Sequence, residues 1–338
     1  MERLPWILAV ALTLLLQHSV ADDAPSVALA NAAKPGTRMP VYGIGTCGYS
    51  PGPEVPGEHW NDSVAVKAIG EWLKLGGRRI DTSLDYRDQP GVGQAVRQSG
   101  IARDEIFITS KVGGGPLGYN ETLDQFKEVL STLNMTYVDL LLIHWPWPLV
   151  GGSSDPACQD GAASANSCRQ SSWKAMVEIL NSGGARAVGV SNFEIKHIQS
   201  LQAGSSLPLP AVNQVEFSPY WHEIELLEFC KTHQIVFNGY APLATPDWAP
   251  HSHHWNASLL DSSVLKKIGD AHSKTPAQVA LRWSMQMDVV INPRTWDPEH
   301  MKEDLDLNFV LTSDEMEQIT NVPKPSNNKV CPDPTNYP

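Results

Sequence analysis

The chain has 338 residues, 42% of them hydrophobic, enough for a sizeable core. Its formal charge is -12 and its pI is near 5.3, with no basic run and no interleaving of aromatic with basic residues. Nucleic acid is therefore not an expected partner.

In chain order, the first element is "MERLPWILAVALTLLLQHSVADDAPS". Arg3 precedes an apolar run from Leu4 to Leu16, and the small residues of Ser19-Val20-Ala21 follow. The run is short for a membrane span. The pattern predicts a secretory signal peptide over residues 1–21, cleaved after Ala21. The expectation is a protein of the secretory pathway, in the endoplasmic reticulum lumen or secreted, with no stable membrane span. Sequons at Asn61, Asn120, Asn134 and Asn256 agree, as candidate glycosylation sites. The five cysteines are Cys47, Cys158, Cys168, Cys230 and Cys331. Cys158 and Cys168 flank the small-residue stretch "QDGAASANS" and are expected to form a disulfide in an oxidising compartment. The odd count leaves at least one thiol over or linked to another chain.

From residue 39 onward, short β-branched runs alternate with helical patterns. The strands read over 39–46, 78–83, 106–112, 137–145, 186–193, 210–218, 235–243 and 288–295. Helices read over "NDSVAVKAIGEWLKLGG", from about Gln89, Asn120, Ser172, Ile195 and Glu223, from the Thr275-Pro276 cap, and from Pro298 to Leu307. The strands are mostly continuous apolar runs, as in strands buried on both faces. Eight such units favour a closed (β/α)8 TIM barrel, a single α/β domain over 22–338 with its core at about 39–321. A doubly wound sheet is the competing fold. It would need a Gly-rich phosphate loop opening a helix after an early strand. "GIGTCG" is too short for that, and the glycines of "VGGGPLG" (112–118) lack the spacing. Segments 147–170 and 244–262 break the alternation after strands four and seven, and 320–338 forms a Pro/Asn-rich tail. All three are expected over the C-terminal face of the barrel, where sites are built.

The strand ends carry chemistry. Asp81 and Tyr86 follow the second strand, Lys111 closes the third, His144 closes the fourth and Asn192 the fifth. Gln214 lies in the sixth and Tyr240 in the seventh. Taken singly, the Asp-Lys pair reads as structural, the His before Trp-Pro as a turn residue, and the Tyr as amphipathic surface. Four such groups at successive strand ends instead suit proton transfer to a carbonyl oxygen. A phenol titrates near 10, and a nearby ammonium lowers that value. Lys111, held by Asp81, is expected to act so on Tyr86, with His144 donating to the carbonyl oxygen. Since no side chain donates hydride, a nicotinamide cofactor is required. Asp85, Arg87 and Asp88 read as ordinary loop surface. His251, His253 and His254 read as a solvated loop and not a metal site, because no Cys or carboxylate completes a tetrahedral set. A barrel hydrolase is disfavoured, since no acidic pair sits at the strand ends in suitable company.

These residues carry a resemblance. The chain is similar to the aldo-keto reductases, in the aldose-reductase-like branch, from about Met39 to about Asn321. The motifs are "MPVYGIGT", "IDTSLDYRDQPGVG", "FITSKV", "VDLLLIHWP", "VGVSNF", "VNQVEFSPY", "YAPL", "TPAQVALRW" and "INPRTWDPEHMKED". The resemblance implies a barrel that binds NAD(P)H without a Rossmann fold. It implies a tetrad of Tyr86 as general acid, Lys111, Asp81 and carbonyl-orienting His144. It places the nicotinamide on Ser191, Asn192 and Gln214, with Tyr240 stacked on the ring. Gly45, Thr46 and Asp81 join this cofactor site, and Leu243 and Thr245 cradle the pyrophosphate. The family's Lys-Ser pair for the 2′-phosphate appears here as Arg294-Thr295, its adenine-side Arg as His300, and its acidic-amide pair as Glu303-Asp304. NADPH is the expected cofactor, with NADH as the alternative. A Trp usual after the first strand is replaced by Cys47. The implied substrate pocket is Cys47, Tyr86, His144 and Trp145, with Trp147 and Trp248 as further aromatic surface. The expected function is NAD(P)H-dependent reduction of a small aldehyde or ketone by a monomer. The competing reading is a secreted or lumenal binding or structural protein on a reductase scaffold without turnover, because extracellular fluid holds little reduced nicotinamide. The complete tetrad favours the enzyme.

Overall fold

The computed structural model describes residues 25–47, 61–148, 152–204, 206–244, 258–325 and 329–338. The signal segment 1–21, Thr245, Trp248, Asn256 and the histidines 251, 253 and 254 lie outside the described residues.

The chain begins with an antiparallel hairpin of β1 (Ser26–Ala28) and β2 (Arg38–Pro40). Strand β3 (Ile44–Gly45) then leads through α1 (Asp62–Lys74) to β4 (Arg79–Asp81), and α2 (Gln89–Gln98) leads to β5 (Phe107–Val112). Next come α3 (Tyr119–Leu133), β6 (Val138–Ile143), α4 (Ala165–Asn181), β7 (Ala185–Ser191), α5 (Ile195–Gln202) and β8 (Val212–Glu216). The chain continues with α6 (Ile224–Thr232), β9 (Val236–Tyr240), α7 (Ser263–His272), α8 (Pro276–Gln286), β10 (Val290–Asn292), α9 (Pro298–Leu305) and α10 (Ser313–Thr320).

Strands β3 to β10 form one eight-stranded sheet in strict chain order, and every neighbouring pair is parallel. A doubly wound sheet would reverse its order at a switch point, and this sheet does not. It closes on itself instead. Gly43 N–H donates to the Ile291 carbonyl at 3.1 Å, Gly45 N–H to Pro293 at 2.8 Å, and Ile291 N–H to Val41 at 2.9 Å. The fold is a (β/α)8 barrel of one domain.

Two apolar cores follow from the two faces of each strand. The inner one holds Phe107, Leu140, Leu142, Ala187, Val212 and Val290, plugged from below by Leu29 and Met39 of the hairpin. The hairpin is anchored at the strands' N-terminal ends, where Ala33 N–H donates to the Arg186 carbonyl at 2.9 Å. The outer core lies between sheet and helices, and in α1 it takes Ala65, Ala68, Ile69, Trp72 and Leu73 at helical spacing. Asn61 starts that helix by accepting the Val64 N–H at 3.1 Å. Pro276 at the first turn and the reciprocal Thr275–Gln278 box start α8. Helix α2 packs so closely on α3 that a Cβ at Gly93 would lie 2.1 Å from the Leu133 carbonyl oxygen.

The floor hairpin differs from the sequence expectation of a single strand over 39–46. That run is divided between β2, which ends at Pro40, and β3, which begins at Ile44. Its apolar residues serve the plug and the barrel wall in turn, and a continuous apolar run does not mark the division. Helices α7 and α10 were not read from the sequence, and α4 begins at Ala165 rather than Ser172. Cys168 therefore sits on α4, bonded to Cys158 in the preceding loop with the Cα atoms 4.5 Å apart. Among the described residues no helix is long and apolar enough to cross a membrane.

Candidate active site

The parallel strands deliver their last residues to one mouth of the barrel. Asp81 ends β4, and the register sets it beside Thr109 of β5. Lys111 lies two residues further along, on the same inward face. Both are buried, and the Lys111 ammonium is hydrogen-bonded to Asp81 Oδ1. It also donates to the Thr82 carbonyl at 3.0 Å. The other oxygen of Asp81 accepts from Gln214 Nε2 at 2.5 Å. A buried ion pair with its remaining lone pairs met is the arrangement that low dielectric demands.

Tyr86 ends a 3-10 turn over Leu84–Tyr86, opened by Ser83, whose Oγ accepts the Asp85 N–H at 3.3 Å. Arg87 leaves the turn in the left-handed region at φ 57°. The Lys111 ammonium lies 4.8 Å from the Tyr86 ring centroid. His144, just past β6, meets Tyr86 edge-on with centroids 5.7 Å apart. Burial holds the Tyr86 phenol well above its ordinary range, reinforced by the neighbouring Cys47 and Asp81. This direction is opposite to the depression expected from Lys111. Burial is the largest cause, and the Asp81 carboxylate that pairs with Lys111 is itself among the groups that raise the phenol.

His144 Nδ1 lies 2.7 Å from Asp85 Oδ2 and 3.3 Å from Ser83 Oγ. Burial pushes the imidazole below its ordinary value; Asp85 opposes that and Lys111 adds to it. Burial opposes ionisation of Asp85, yet the hydrogen bond and charge of His144, with Lys111, hold its carboxyl below the usual range. Asp85 was missed as loop surface. So was Asp88, which is buried and accepts from Thr82 Oγ1 at 2.8 Å, with its carboxyl pushed up to about 6 by burial. Of the three charged neighbours of Tyr86 only Arg87 is exposed. The signal that could have found Asp85 is its place in the same turn as Tyr86, where consecutive side chains of a 3-10 turn diverge around the mouth.

The expected nicotinamide residues come together. Ser191 of β7 pairs in register with Gln214 of β8 and donates from Oγ to its carbonyl at 2.7 Å. Asn192, left-handed at φ 62°, donates to the His144 carbonyl at 2.9 Å and accepts from Tyr240 Oη at 2.8 Å. Gly45 closes the barrel as described, and Thr46 N–H donates to the Asp81 carbonyl at 2.9 Å. Past β10, Arg294 donates to the Cys47 carbonyl, with its guanidinium 5.9 Å from the Trp296 ring centroid. Thr295 Oγ1 and His300 Nδ1 are 3.5 Å apart at the start of α9. Amides and a hydroxyl beside an aromatic ring, with a cation, hydroxyl and imidazole at a helix N-terminus, suit a nicotinamide and a phosphate. Glu303 faces elsewhere: its Oε2 accepts from Thr275 Oγ1 at 3.1 Å, at the cap of α8. Asp304 is buried, with its carboxyl pushed up to about 7 by burial and then by Glu303. Leu243 packs on the outer core.

On the substrate side, Cys47 is half-buried and Trp145 is buried. Tyr337 of the tail meets Trp145 edge-on at 6.0 Å between centroids. Val330 and Cys331 donate their N–H groups to Glu216 at 2.7 and 2.9 Å. Among the described residues no cluster of His, Cys, Asp or Glu could hold a metal ion.

The aldo/keto reductase family model matches residues 43–324. Glyoxal reductase of Bacillus subtilis is 33% identical over 300 residues, covering 88% of this chain and 94% of that protein. Morphine 6-dehydrogenase of Pseudomonas putida is 34% identical over 303 residues, covering 89% and 92%. The crystal structure of an aldo/keto reductase from Brucella melitensis superposes with a TM-score of 0.73 at 31% identity, over 89% of this chain and 99% of that one. With its barrel closed, its strand-end residues assembled and its length matched by these relatives, the chain belongs to the aldo/keto reductase family.

Proposed function

We propose that the protein reduces a small aldehyde or ketone to the alcohol with NADPH as hydride donor. The observation that carries this reading is the convergence of Tyr86, the Asp81–Lys111 pair and His144 at one mouth. A bound reduced nicotinamide supplies hydride to the carbonyl carbon. Tyr86 gives its phenolic proton to the carbonyl oxygen, and its raised pKa keeps it a proton-bearing acid at neutral pH. Lys111 stabilises the phenolate left behind, and Asp81 with Gln214 holds Lys111 in place. His144 orients the carbonyl. Arg294, Thr295 and His300 supply the phosphate-binding chemistry that favours NADPH over NADH.

The assay mixes the mature protein with NADPH, then NADH, and follows cofactor fluorescence and the aldehyde-dependent loss of reduced-cofactor absorbance. Binding with turnover supports the reading; binding of neither cofactor ends it. Tyr86→Phe is expected to bind cofactor and lose turnover.

The compartment proposal is that the chain enters the secretory pathway. The N-terminal pattern supports it, as do exposed sequon asparagines at 61, 120 and 134 and the Cys158–Cys168 bond. Endoglycosidase treatment of protein from its native source should lower its mass, and an unchanged mass would count against lumenal passage.

A further inference from the structure

The contact between Asp85 and His144 has a consequence for the reaction. An ionised carboxylate only accepts hydrogen bonds. At 2.7 Å from Asp85 Oδ2, His144 Nδ1 must therefore carry the hydrogen. In a neutral ring the other nitrogen, Nε2, then holds a lone pair and cannot donate to a carbonyl oxygen. It becomes a donor only when the ring takes a second proton.

Gly114 makes this contact sterically possible. A Cβ at Gly114 would lie 2.1 Å from Asp85 Oδ2, so the loop after β5 leaves room for the carboxylate beside His144. Ser83 joins from the near side, 3.3 Å from Nδ1, and the Asn192 amide fixes the His144 backbone through its carbonyl. The charged and titratable groups facing the ring are Asp85 and Tyr86 from the turn after β4, Asp81 at its end, and Lys111 from β5. Of these, Asp85 is hydrogen-bonded to the ring and is the group that most favours its second proton, while Lys111 opposes it.

We infer that Asp85 is a positioning residue: it locks the neutral His144 ring as the Nδ1–H form, so that Nε2 donates to a substrate carbonyl only in the imidazolium state. Carbonyl reduction then has a His144-dependent alkaline limb. Above it, neutral Nε2 accepts a hydrogen bond and favours an alcohol over a carbonyl in the same place. This rests on the reductase reading for its kinetic consequence, and not for the tautomer.

Histidine-¹⁵N-labelled protein, without cofactor, is titrated by NMR, with the His144 signals assigned by their loss in His144→Gln. The expected neutral form carries its proton on Nδ1 in the native chain and on Nε2 in Asp85→Leu. In parallel, kcat/KM for 4-nitrobenzaldehyde with NADPH is followed from about pH 5 to 9. In the native protein it should fall about tenfold per pH unit above the His144 pKa, and in Asp85→Leu that limb should flatten while the NADPH Kd stays within about twofold. Gly114→Ala displaces the carboxylate and should reproduce Asp85→Leu in both measurements; it serves alone should Asp85→Leu not fold. An Nε2–H tautomer in the native protein would overturn the inference, as would an unchanged tautomer or limb in the variants. Absence of turnover with the Nδ1–H tautomer present would instead sink the reductase reading and leave the positioning role intact.

Discussion

The carboxyl group of Glu216, the last residue of β8, receives the backbone N–H of Cys331 at 2.9 Å and so joins the C-terminal tail to the barrel mouth. Val330 donates to its other oxygen at 2.7 Å, and Lys329 pairs with Glu223 at 3.3 Å and covers the Trp221 ring at 3.9 Å. The tail is thereby tied beside Tyr86 and Tyr240, and the same burial that forms this joint raises the Glu216 pKa to about 7.

A pH dependence of stability follows. Because the folded pKa of Glu216, about 7, lies above the ordinary 4.5, the folded chain binds this proton more tightly than the unfolded one. The contribution is fully present below about 4.5 and is lost as pH rises through about 7. Asp304, also about 7, has the same sign. His197, lowered to about 4 by burial and then by Arg169, has the opposite sign: its contribution is lost as pH falls from 6.5 toward 4. Glu216→Gln should flatten the loss of stability between about pH 5 and 7 by on the order of 3 kcal/mol, read from denaturant midpoints across that range. An unchanged slope would show that Glu216 is not the group titrating.

Lys111→Met should damage the fold as well as the reaction. It leaves the buried Asp81 carboxyl without its ammonium partner and, among the described residues, with the Gln214 amide as its remaining side-chain donor. Removing one partner of a buried pair costs about 3–5 kcal/mol. The double variant Asp81→Asn, Lys111→Met should recover a large part of that cost, because the two residues are in contact and their effects do not add. Chemical denaturation of the four proteins measures the coupling; additivity would show that the pair contributes little to stability.

The convergence of Asp81, Tyr86, Lys111 and His144 with Ser191, Asn192, Gln214 and Tyr240 was legible because a barrel turns chain order into geometry: strand ends, found where apolar runs stop, land at one mouth. Asp85 and Asp88 were not, because turn residues lack a period and a charged side chain there reads as solvated. Asp88 is buried against the barrel wall, while the half-exposed Asp85 is tied down by His144, far along the chain. The floor hairpin was hidden for a related reason. Met39 and Ile44 are both buried, one under the barrel and one in its wall, and burial alone does not tell which.

Cys158→Ser should loosen the loop before α4. The disulfide closes a separation of 10 residues, for which chain entropy gives about 3 kcal/mol. The loop has other ties: Asp155 accepts from the Tyr119 N–H at 2.9 Å and Glu121 from the Ser154 N–H at 2.7 Å. Unfolding of the loop should thus become easier while the barrel stays folded. Limited proteolysis should cut between residues 152 and 165 faster in Cys158→Ser and in reduced native protein alike. Equal rates in oxidised and reduced protein would show that the carboxylate ties suffice.

Arg294→Ala separates the two nicotinamide cofactors. The guanidinium leaves β10 beside the Cys47 carbonyl and reaches toward the Trp296 ring, next to Thr295 and His300 at the start of α9. Glu303 is turned to the Thr275 hydroxyl, and Asp304 is buried with its carboxyl raised, so neither sets an exposed, fully charged carboxylate against a phosphate there at neutral pH. A charge-assisted bond from arginine to phosphate contributes about 1.5–3 kcal/mol. The variant should therefore weaken NADPH binding by about tenfold to a hundredfold, and NADH, which lacks the 2′-phosphate, by less than about twofold. The NADPH loss should shrink as ionic strength rises, since it is electrostatic and partly exposed. Equal losses for both cofactors would place Arg294 in the wall of the site and not on the phosphate.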